Sequence, residues 1–215
     1  MAIEELRYIA IEGVIGAGKT SLTARLSQTL GARAIYEEFE KNPFLEDFYG
    51  DPDRFAFQTQ IFFLMSRYKQ QQELHQIDLF QDCIVSDYMF AKDRIFATLT
   101  LNEKEMRLYD GIAKIMEKDI VKSDLVIYLQ ASTSHLMHRI RKRGRKIERQ
   151  ISEEYIQALS ELYNDYFFHY DDSPLLVINI DEIDFVHNEN DYKDILYEIN
   201  NHASGTRYYV PHKNR

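Results

Sequence analysis

The feature that most constrains this fold is a glycine-rich turn that directly follows an apolar run near the N-terminus. In YIAIEGVIGAGKTSL, residues 8–22, the run at residues 8–12 has the length and composition of a buried strand. Residues 13–20 then match G-x-x-x-x-G-K-[ST], in which glycines let backbone N–H groups converge on phosphate oxygens. A helix is expected next, because its N-terminal dipole favours a bound anion. The stretch therefore predicts a strand, a phosphate loop, a helix and a bound nucleoside triphosphate.

Two side chains of this loop carry specific expectations. Lys19 is predicted to bridge the β- and γ-phosphates of the nucleoside triphosphate, and the Thr20 hydroxyl is predicted to ligate Mg²⁺. The residues predicted to contact the triphosphate are Gly13, Val14, Ile15, Gly16, Ala17, Gly18, Lys19, Thr20 and Ser21.

The rest of the chain alternates short apolar runs with longer periodic stretches. Such alternation favours an α/β fold, a parallel sheet flanked by helices and built from βαβ units. Further strands are predicted at residues 34–37, 83–86, 125–129 and 175–180. Helices are predicted at residues 18–30, 53–74, 88–98, 103–118, 132–143, 152–169 and 190–200. We expect one domain over residues 1–200 and a polar tail at residues 201–215 that frays.

The overall charge and composition exclude several classes of function. A formal net charge of −9 and a pI near 5.3 argue against coating a nucleic acid polymer, which needs a broad basic surface. Cys83 is the only cysteine, so no intramolecular disulfide is possible. The N-terminus lacks a signal-peptide pattern, and no apolar run has the length of a membrane span, so we expect a cytoplasmic protein.

The phosphate loop alone leaves open whether the triphosphate drives switching, motion or phosphoryl transfer. A GTPase would need N-K-x-D after a later strand, and the sequence contains none. A motor ATPase would usually end an apolar strand in Asp-Glu. Here the apolar run at residues 83–86 is followed by Asp87 and then by Tyr88. Asp87 suits metal binding without the additional glutamate that hydrolysis uses.

Residues 138–149, HRIRKRGRKIER, form the only dense basic run in this acidic chain, and we call them the basic segment. Arg139 and Arg143 are four residues apart and share a helix face. Gly144 breaks the helix and lets Arg145 turn towards the loop. Arginines that close over a transferring phosphate stabilise its charge and exclude water, which favours transfer to a small molecule.

Together, these motifs resemble the deoxynucleoside kinases over residues 8–185. The resemblance rests on the phosphate loop, Glu37, Asn-Pro-Phe-Leu at residues 42–45, Gln60 with Arg67, Asp87, and Arg143-Gly144-Arg145 with Glu148. It implies transfer of the γ-phosphate of ATP to the 5′-hydroxyl of a deoxynucleoside. It also implies a five-stranded parallel sheet flanked by helices, and a homodimer formed through helices.

The resemblance also implies the reacting and metal-binding groups. Glu37 corresponds to the general base that accepts or orients the 5′-hydroxyl proton, and its neighbour Glu38 is the alternative. Asp87 and Thr20 correspond to the protein ligands of Mg²⁺, with phosphate oxygens and water completing the shell. Lys19 and three arginines of the basic segment stabilise the transferred charge: Arg139, Arg143 and Arg145.

Further positions correspond to substrate-reading residues of the family. Gln60 and Arg67 lie on one face of a helix and read the nucleobase, with Asp93 as the counter-charge of Arg67. Tyr49 and Glu148 hold the sugar 3′-hydroxyl. Asp184 and Phe185 belong to the loop around the adenine of ATP. Arg139 and Arg143 also contact ATP.

One departure from the family pattern concerns the residues after Asp87. Most members have Arg-Ser there, near the base and the reacting hydroxyl, whereas this chain has Tyr88-Met89. Asp-Tyr is similar to a bacterial purine-kinase branch, so we expect a purine deoxynucleoside. Gln60 leaves adenine and guanine open, Asp93 beside Arg67 slightly favours deoxyadenosine over deoxyguanosine, and deoxycytidine is still open. The rival functions are a nucleoside monophosphate kinase similar to thymidylate kinase and a non-catalytic nucleotide-binding subunit.

Overall fold

The computed structural model describes residues 3–75 and 83–211, which form a parallel sheet flanked by helices. Within these residues the strands are β1 (Tyr8–Gly13), β2 (Arg33–Ile35), β3 (Ile84–Ser86), β4 (Leu125–Gln130), β5 (Leu175–Asn179) and β6 (Thr206–Tyr209). The α-helices are α1 (Lys19–Leu30), α2 (Leu45–Gly50), α3 (Pro52–His75), α4 (Lys92–Thr100), α5 (Glu103–Met116), α6 (Thr133–Arg143), α7 (Glu153–Phe168) and α8 (Glu189–Asn200).

The strand order is β2-β3-β1-β4-β5-β6, and every neighbouring pair is parallel. Residues of β1 and β4 are almost all buried, as expected for central strands covered by helices on both faces. All the carboxyl ends of the strands lie at one edge of the sheet, so the loops after β1, β2 and β3 converge there.

The expected number of five strands is wrong, because the described residues contain a sixth strand in the predicted polar tail. β6 pairs with β5 from Leu175↔Thr206 to Ile178↔Tyr209. Residues 206–209 alternate between exposed and half-buried positions, so this edge strand has no continuous apolar run. The tail was expected to fray, but at residues 206–209 it extends the sheet.

Most predicted helices have ends within a few residues of those observed, and the ends have local causes. Ser132, Ser152 and Asn188 each accept a hydrogen bond from the first turn of the helix that follows, so each is an N-cap. Gly144 has φ of 65° and ends α6, which confirms the expected break after Arg143.

Two local differences matter for the site. The helix expected at residues 88–98 begins only at Lys92, because residues 88–91 first make a turn after β3. The short helix α2 was not predicted, and its buried Leu45 and Phe48 pack with Ala56 of α3.

No helix in residues 3–75 and 83–211 is long and apolar enough to cross a membrane.

Candidate active site

A cleft at the carboxyl edge of the sheet contains most of the side chains that the sequence singled out. Its lining includes the phosphate loop, the segment after β2, one face of α3 and the basic segment. The predicted residues that line it are Ile15, Gly16, Lys19, Thr20, Glu37, Tyr49, Gln60, Arg67, Asp87, Arg143, Arg145 and Glu148.

The phosphate loop depends on glycine for both conformation and space. Gly16 and Gly18 have φ of 91° and 92°, where other residues are strained. A Cβ atom on Gly16 would lie 2.9 Å from the carbonyl oxygen of Leu136 in α6. The loop is therefore packed closely against the helix that carries the basic segment.

Lys19 lies inside this loop. Its Nζ atom donates hydrogen bonds to the carbonyl oxygens of Gly13 at 2.7 Å and Val14 at 3.2 Å. The pKa of Lys19 is lowered to about 8. Burial is the larger cause, and repulsion from the ammonium of Lys92 is the second. An anion in the loop would favour the charged form of Lys19, as expected for a phosphate-binding lysine.

Thr20 and Asp87 come together as the metal prediction requires. The Thr20 hydroxyl donates to Asp87 Oδ2 at 2.7 Å, and Asp87 Oδ1 accepts from the backbone N–H of Glu37 at 2.7 Å. Hydroxyl and carboxylate oxygens are ligands that Mg²⁺ accepts, and Mg²⁺ usually keeps several water or phosphate ligands. Residues 3–75 and 83–211 contain no cluster of three or more His, Cys, Asp or Glu side chains arranged for a metal ion. The hydroxyl of Thr20 and the carboxylate of Asp87 fit a Mg²⁺ ion whose remaining ligands would be phosphate oxygens and water.

Glu37 follows β2 and is held by two cations. Its Oε1 atom accepts from Nε of Arg67 at 3.0 Å and also pairs with Nη2 of Arg67. Its Oε2 atom accepts from Nζ of Lys92 at 2.6 Å. Burial would raise the pKa of Glu37, but Lys92 and Arg67 outweigh it and hold this pKa well below its usual range. Glu38, the alternative base, instead pairs with Lys41 at the surface.

Lys92 is a cleft residue that sequence reasoning missed. It is the first residue of α4, its side chain is only 5% exposed, and it lines the cleft beside Glu37. Tyr88, which occupies the place of the family arginine, is fully buried. Lys92, and not position 88, therefore places a cation beside Glu37. The only signal in the sequence was a lysine within the segment between Asp87 and Asp93.

Arg67 and Asp93 form the pair that was expected. Nη1 of Arg67 pairs with Oδ1 of Asp93, and the Tyr109 hydroxyl donates to Asp93 Oδ2 at 2.8 Å. Burial raises the pKa of Asp93 to about 6, against the opposing effect of Arg67. Both oxygens of Asp93 are occupied and its side chain lies outside the cleft lining, so Asp93 supports Arg67 from behind.

Gln60 lies on the cleft wall with an incomplete set of hydrogen bonds. Its side chain is buried, and its Nε2 atom donates to the hydroxyl of Thr100 at 3.2 Å. Its Oε1 atom is buried without a hydrogen-bond partner. A buried acceptor without a partner at a cleft wall is suited to a ligand that brings a donor.

The predicted sugar-binding residues lie at the end of the cleft nearest the basic segment. Arg143 donates to Glu148 through Nε at 3.1 Å and Nη2 at 2.6 Å, and Arg145 approaches the same carboxylate at 3.5 Å. Tyr49 lines the cleft nearby and packs edge-on against Tyr155, with the ring centroids 6.4 Å apart. Glu148 thus gathers two arginines of the basic segment at the cleft.

Two of the predicted ATP-binding residues outside the loop, Arg139 and Phe185, lie against the phosphate loop at Ala17 and Gly18. Arg139 donates to the carbonyl oxygen of Ala17 at 3.3 Å, and its guanidinium lies 5.9 Å from the ring centre of Phe185. Phe185 is fully buried against Gly18, whereas Asp184 is half-exposed and accepts hydrogen bonds from Val186 and His187. In this conformation Phe185 supports the loop rather than presenting its ring to a ligand.

Glu12 is a second residue that sequence reasoning missed. It is fully buried at the end of β1 and accepts from the N–H of Gly13 at 3.0 Å, the N–H of Met89 at 2.8 Å and the hydroxyl of Tyr163 at 3.2 Å. It therefore ties the phosphate loop to the turn before Lys92. A lone carboxylate in an apolar strand was the available signal.

Comparisons with known proteins identify the family of this chain. Residues 9–204 match the family model described as Deoxynucleoside kinase. The chain is 37% identical to a deoxyguanosine kinase of Bacillus subtilis (strain 168), over 89% of this chain and 95% of the relative. It is 34% identical to a deoxyadenosine kinase of Lactobacillus acidophilus, over 90% of this chain and 95% of the relative.

A solved structure of deoxyadenosine kinase from M. mycoides with bound dATP superposes with a TM-score of 0.78 at 30% sequence identity. The match covers 90% of this chain and 99% of that one. The chain carrying this cleft belongs to the deoxynucleoside kinase family.

Proposed function

We propose that this kinase transfers the γ-phosphate of Mg²⁺-bound ATP to the 5′-hydroxyl of a purine deoxynucleoside. The observation that carries the proposal is the cleft, where a phosphate loop and the carboxylate of Glu37 line one cavity with Gln60 and Arg67. The loop suits the donor, the carboxylate suits an acceptor hydroxyl, and the α3 side chains suit a base.

The state of Glu37 defines its proposed role. Two cations keep its carboxylate ionised, so it accepts a hydrogen bond from the 5′-hydroxyl at any pH near neutral. A carboxylate with so low a pKa is a weak base before the reaction. In a loose phosphoryl-transfer transition state the hydroxyl proton becomes acidic late, so orienting the hydroxyl is the main contribution of Glu37.

Charge stabilisation comes from the loop and from the basic segment. Lys19 supplies an ammonium at the loop. Arg139 donates to the loop carbonyl of Ala17, and Arg143 and Arg145 line the same cleft as Lys19. We assign Thr20 and Asp87 as the protein ligands of Mg²⁺, which when bound offsets the negative charge of the β- and γ-phosphates. The arginines also exclude water from the cleft, and transfer to the sugar is thereby favoured over hydrolysis.

A nucleoside monophosphate kinase is less compatible with the contacts in the cleft. An acceptor that already carries a phosphate needs cations free to bind that phosphate. Lys92 and Arg67, the two cations beside Glu37, are both paired with its carboxylate. The cleft around Glu37 therefore favours an uncharged acceptor.

The choice of a purine rests on a buried amide and on the relatives. Gln60 offers an acceptor and a donor to the edge of a base, and relatives are named for both deoxyadenosine and deoxyguanosine. Asp93 does not reach the cleft lining, so it no longer favours adenine directly. Deoxycytidine remains the alternative substrate.

A homodimer is proposed on a separate observation. Leu108 and Ile115 lie seven residues apart on α5, with exposures of 62% and 70%, and Met65 on the neighbouring α3 is 56% exposed. Exposed apolar side chains on adjacent helices suit a second copy of the chain. Sedimentation should give about twice the monomer mass, and Leu108→Glu with Ile115→Glu should shift it to the monomer.

One assay tests the proposed reaction. The purified protein is incubated with labelled ATP and Mg²⁺, in turn with each of the four deoxynucleosides and each of their monophosphates. The expected product is a deoxynucleoside monophosphate, formed fastest from a purine. The proposal would be overturned if the protein phosphorylated only the monophosphates, or if it phosphorylated none of the acceptors.

A further inference from the structure

The side-chain amide of Gln60 is held in one orientation by Thr100. Thr100 is the last residue of α4, and its hydroxyl donates to the carbonyl oxygen of Phe96 at 2.8 Å. A threonine hydroxyl has a single proton, so its oxygen can then only accept from Gln60. The Nε2 atom of Gln60 must face Thr100, because turning the amide over would set Oε1 against a lone pair.

This constraint leaves a defined pattern for a ligand. The Oε1 atom of Gln60 is buried without a partner, and Nε2 retains one N–H beyond the bond to Thr100. An amide that could turn over freely would accept either arrangement of donor and acceptor. Held by Thr100, it offers an acceptor and a donor at fixed places on the cleft wall.

Purines differ in the pattern that such an amide reads. A 6-amino purine has a donor at position 6 and an acceptor at N1, and a 6-oxo purine has the reverse. If the sugar of both nucleosides is held in the same way, a fixed amide pairs with one of them. It opposes like groups in the other, which leaves buried polar atoms unpaired.

We propose that Thr100 is a specificity-determining residue: by fixing the orientation of the Gln60 amide, it makes this kinase discriminate between 6-amino and 6-oxo purine deoxynucleosides. The inference rests on the proposed function, since it needs a purine against Gln60. Thr100 acts through Gln60 and is a positioning residue, so its effect should be on substrate choice rather than on ATP.

The test compares 2′-deoxyadenosine with 2′-deoxyinosine, which differ at position 6 and N1 but both lack a 2-amino group. The wild-type protein should prefer one of them by about tenfold or more in kcat/KM. Thr100→Val keeps the shape but removes the hydroxyl, so the amide can turn over. The preference should then fall to about threefold or less, with KM for ATP unchanged.

The chain offers a matched control on the same helix. Thr98 also donates to a carbonyl oxygen four residues earlier, that of Arg94 at 2.8 Å, but it is exposed. Thr98→Val should therefore leave the preference unchanged, and Thr100→Ser, which keeps the hydroxyl, should retain it. Thr100→Ala removes the same acceptor and replaces the valine variant if circular dichroism shows that variant to be unfolded.

The outcomes separate this inference from the proposed function. An active wild-type protein without a preference between the two nucleosides, or a preference that survives Thr100→Val and Thr100→Ala, would overturn the role of Thr100 alone. Failure of the wild-type protein to phosphorylate any deoxynucleoside would overturn the proposed function as well.

Discussion

Replacing Lys92 by methionine tests how the cleft holds Glu37, the carboxylate proposed to orient the acceptor hydroxyl. Methionine keeps the unbranched apolar stem and removes the ammonium that donates to Glu37 Oε2 at 2.6 Å. A hydrogen bond between charged groups contributes about 1.5–3 kcal/mol. Glu37 keeps its contacts with Arg67, so one of its two anchors remains. Because 1.36 kcal/mol is a factor of ten, kcat/KM for the deoxynucleoside should fall about 10- to 150-fold.

The same substitution should raise the pKa of Lys19, because it removes a neighbouring positive charge. The pKa of Lys19 is lowered to about 8 by burial and by the ammonium of Lys92. The charged form, which binds phosphate, predominates below this pKa and is lost as the pH rises through it. In the wild-type protein kcat/KM for ATP should therefore decline above about pH 8, and in Lys92→Met the decline should move to higher pH.

Steady-state kinetics between about pH 6 and pH 10 measure both effects. Lys193→Met is the control, because Lys193 is exposed on α8 away from the cleft. Urea unfolding checks that Lys92→Met is folded under the assay conditions. Wild-type kcat/KM for the deoxynucleoside in this variant, or a decline for ATP that moves to lower pH, would refute the reasoning.

Three further substitutions address the other parts of the cleft. Glu37→Gln should bind ATP normally, as measured by calorimetry, but lose most of its kcat, because a neutral amide orients the hydroxyl poorly; near-normal kcat would remove Glu37 from the reaction. Gly16→Ala should abolish ATP binding and lower stability to urea by about 1–3 kcal/mol, since its Cβ would meet the Leu136 carbonyl at 2.9 Å. Gly31→Ala is its control, with φ of 61° but no atom within 4 Å, and should retain ATP binding. Thr20→Val should raise the Mg²⁺ concentration needed for half-maximal rate while Thr20→Ser does not; equal requirements would contradict the metal assignment.

The parts of the site that the sequence predicted are those with local causes. A strand, a glycine turn and a helix are adjacent in the chain, so residues 8–22 carry their own structural information. Parallel strands bring their carboxyl ends to one edge of the sheet, which is why Glu37 after β2 and Asp87 after β3 lie together. The pair of Arg67 with Asp93 followed from the resemblance rather than from spacing.

The parts that were missed depend on contacts between distant segments. Lys92 has the sequence context of a surface lysine in a first helical turn, and only the packing of α4 against α3 buries it beside Glu37. Glu12 gains its role from the N–H of Met89, which is 77 residues away, and from the hydroxyl of Tyr163, which is 151 residues away. β6 lies at the edge of the sheet, so half of its side chains are exposed and no apolar run indicates a strand.

The central claim is that the phosphate held by the loop leaves for a sugar hydroxyl and not for water. The most direct measurement follows both fates of labelled γ-phosphate with the preferred purine deoxynucleoside and with its 5′-deoxy analogue. With the former, the label should appear on the 5′-oxygen of the nucleoside, with little inorganic phosphate. With the latter, neither product should form at an appreciable rate. Equal release of inorganic phosphate in both reactions, without nucleoside monophosphate, would contradict the account.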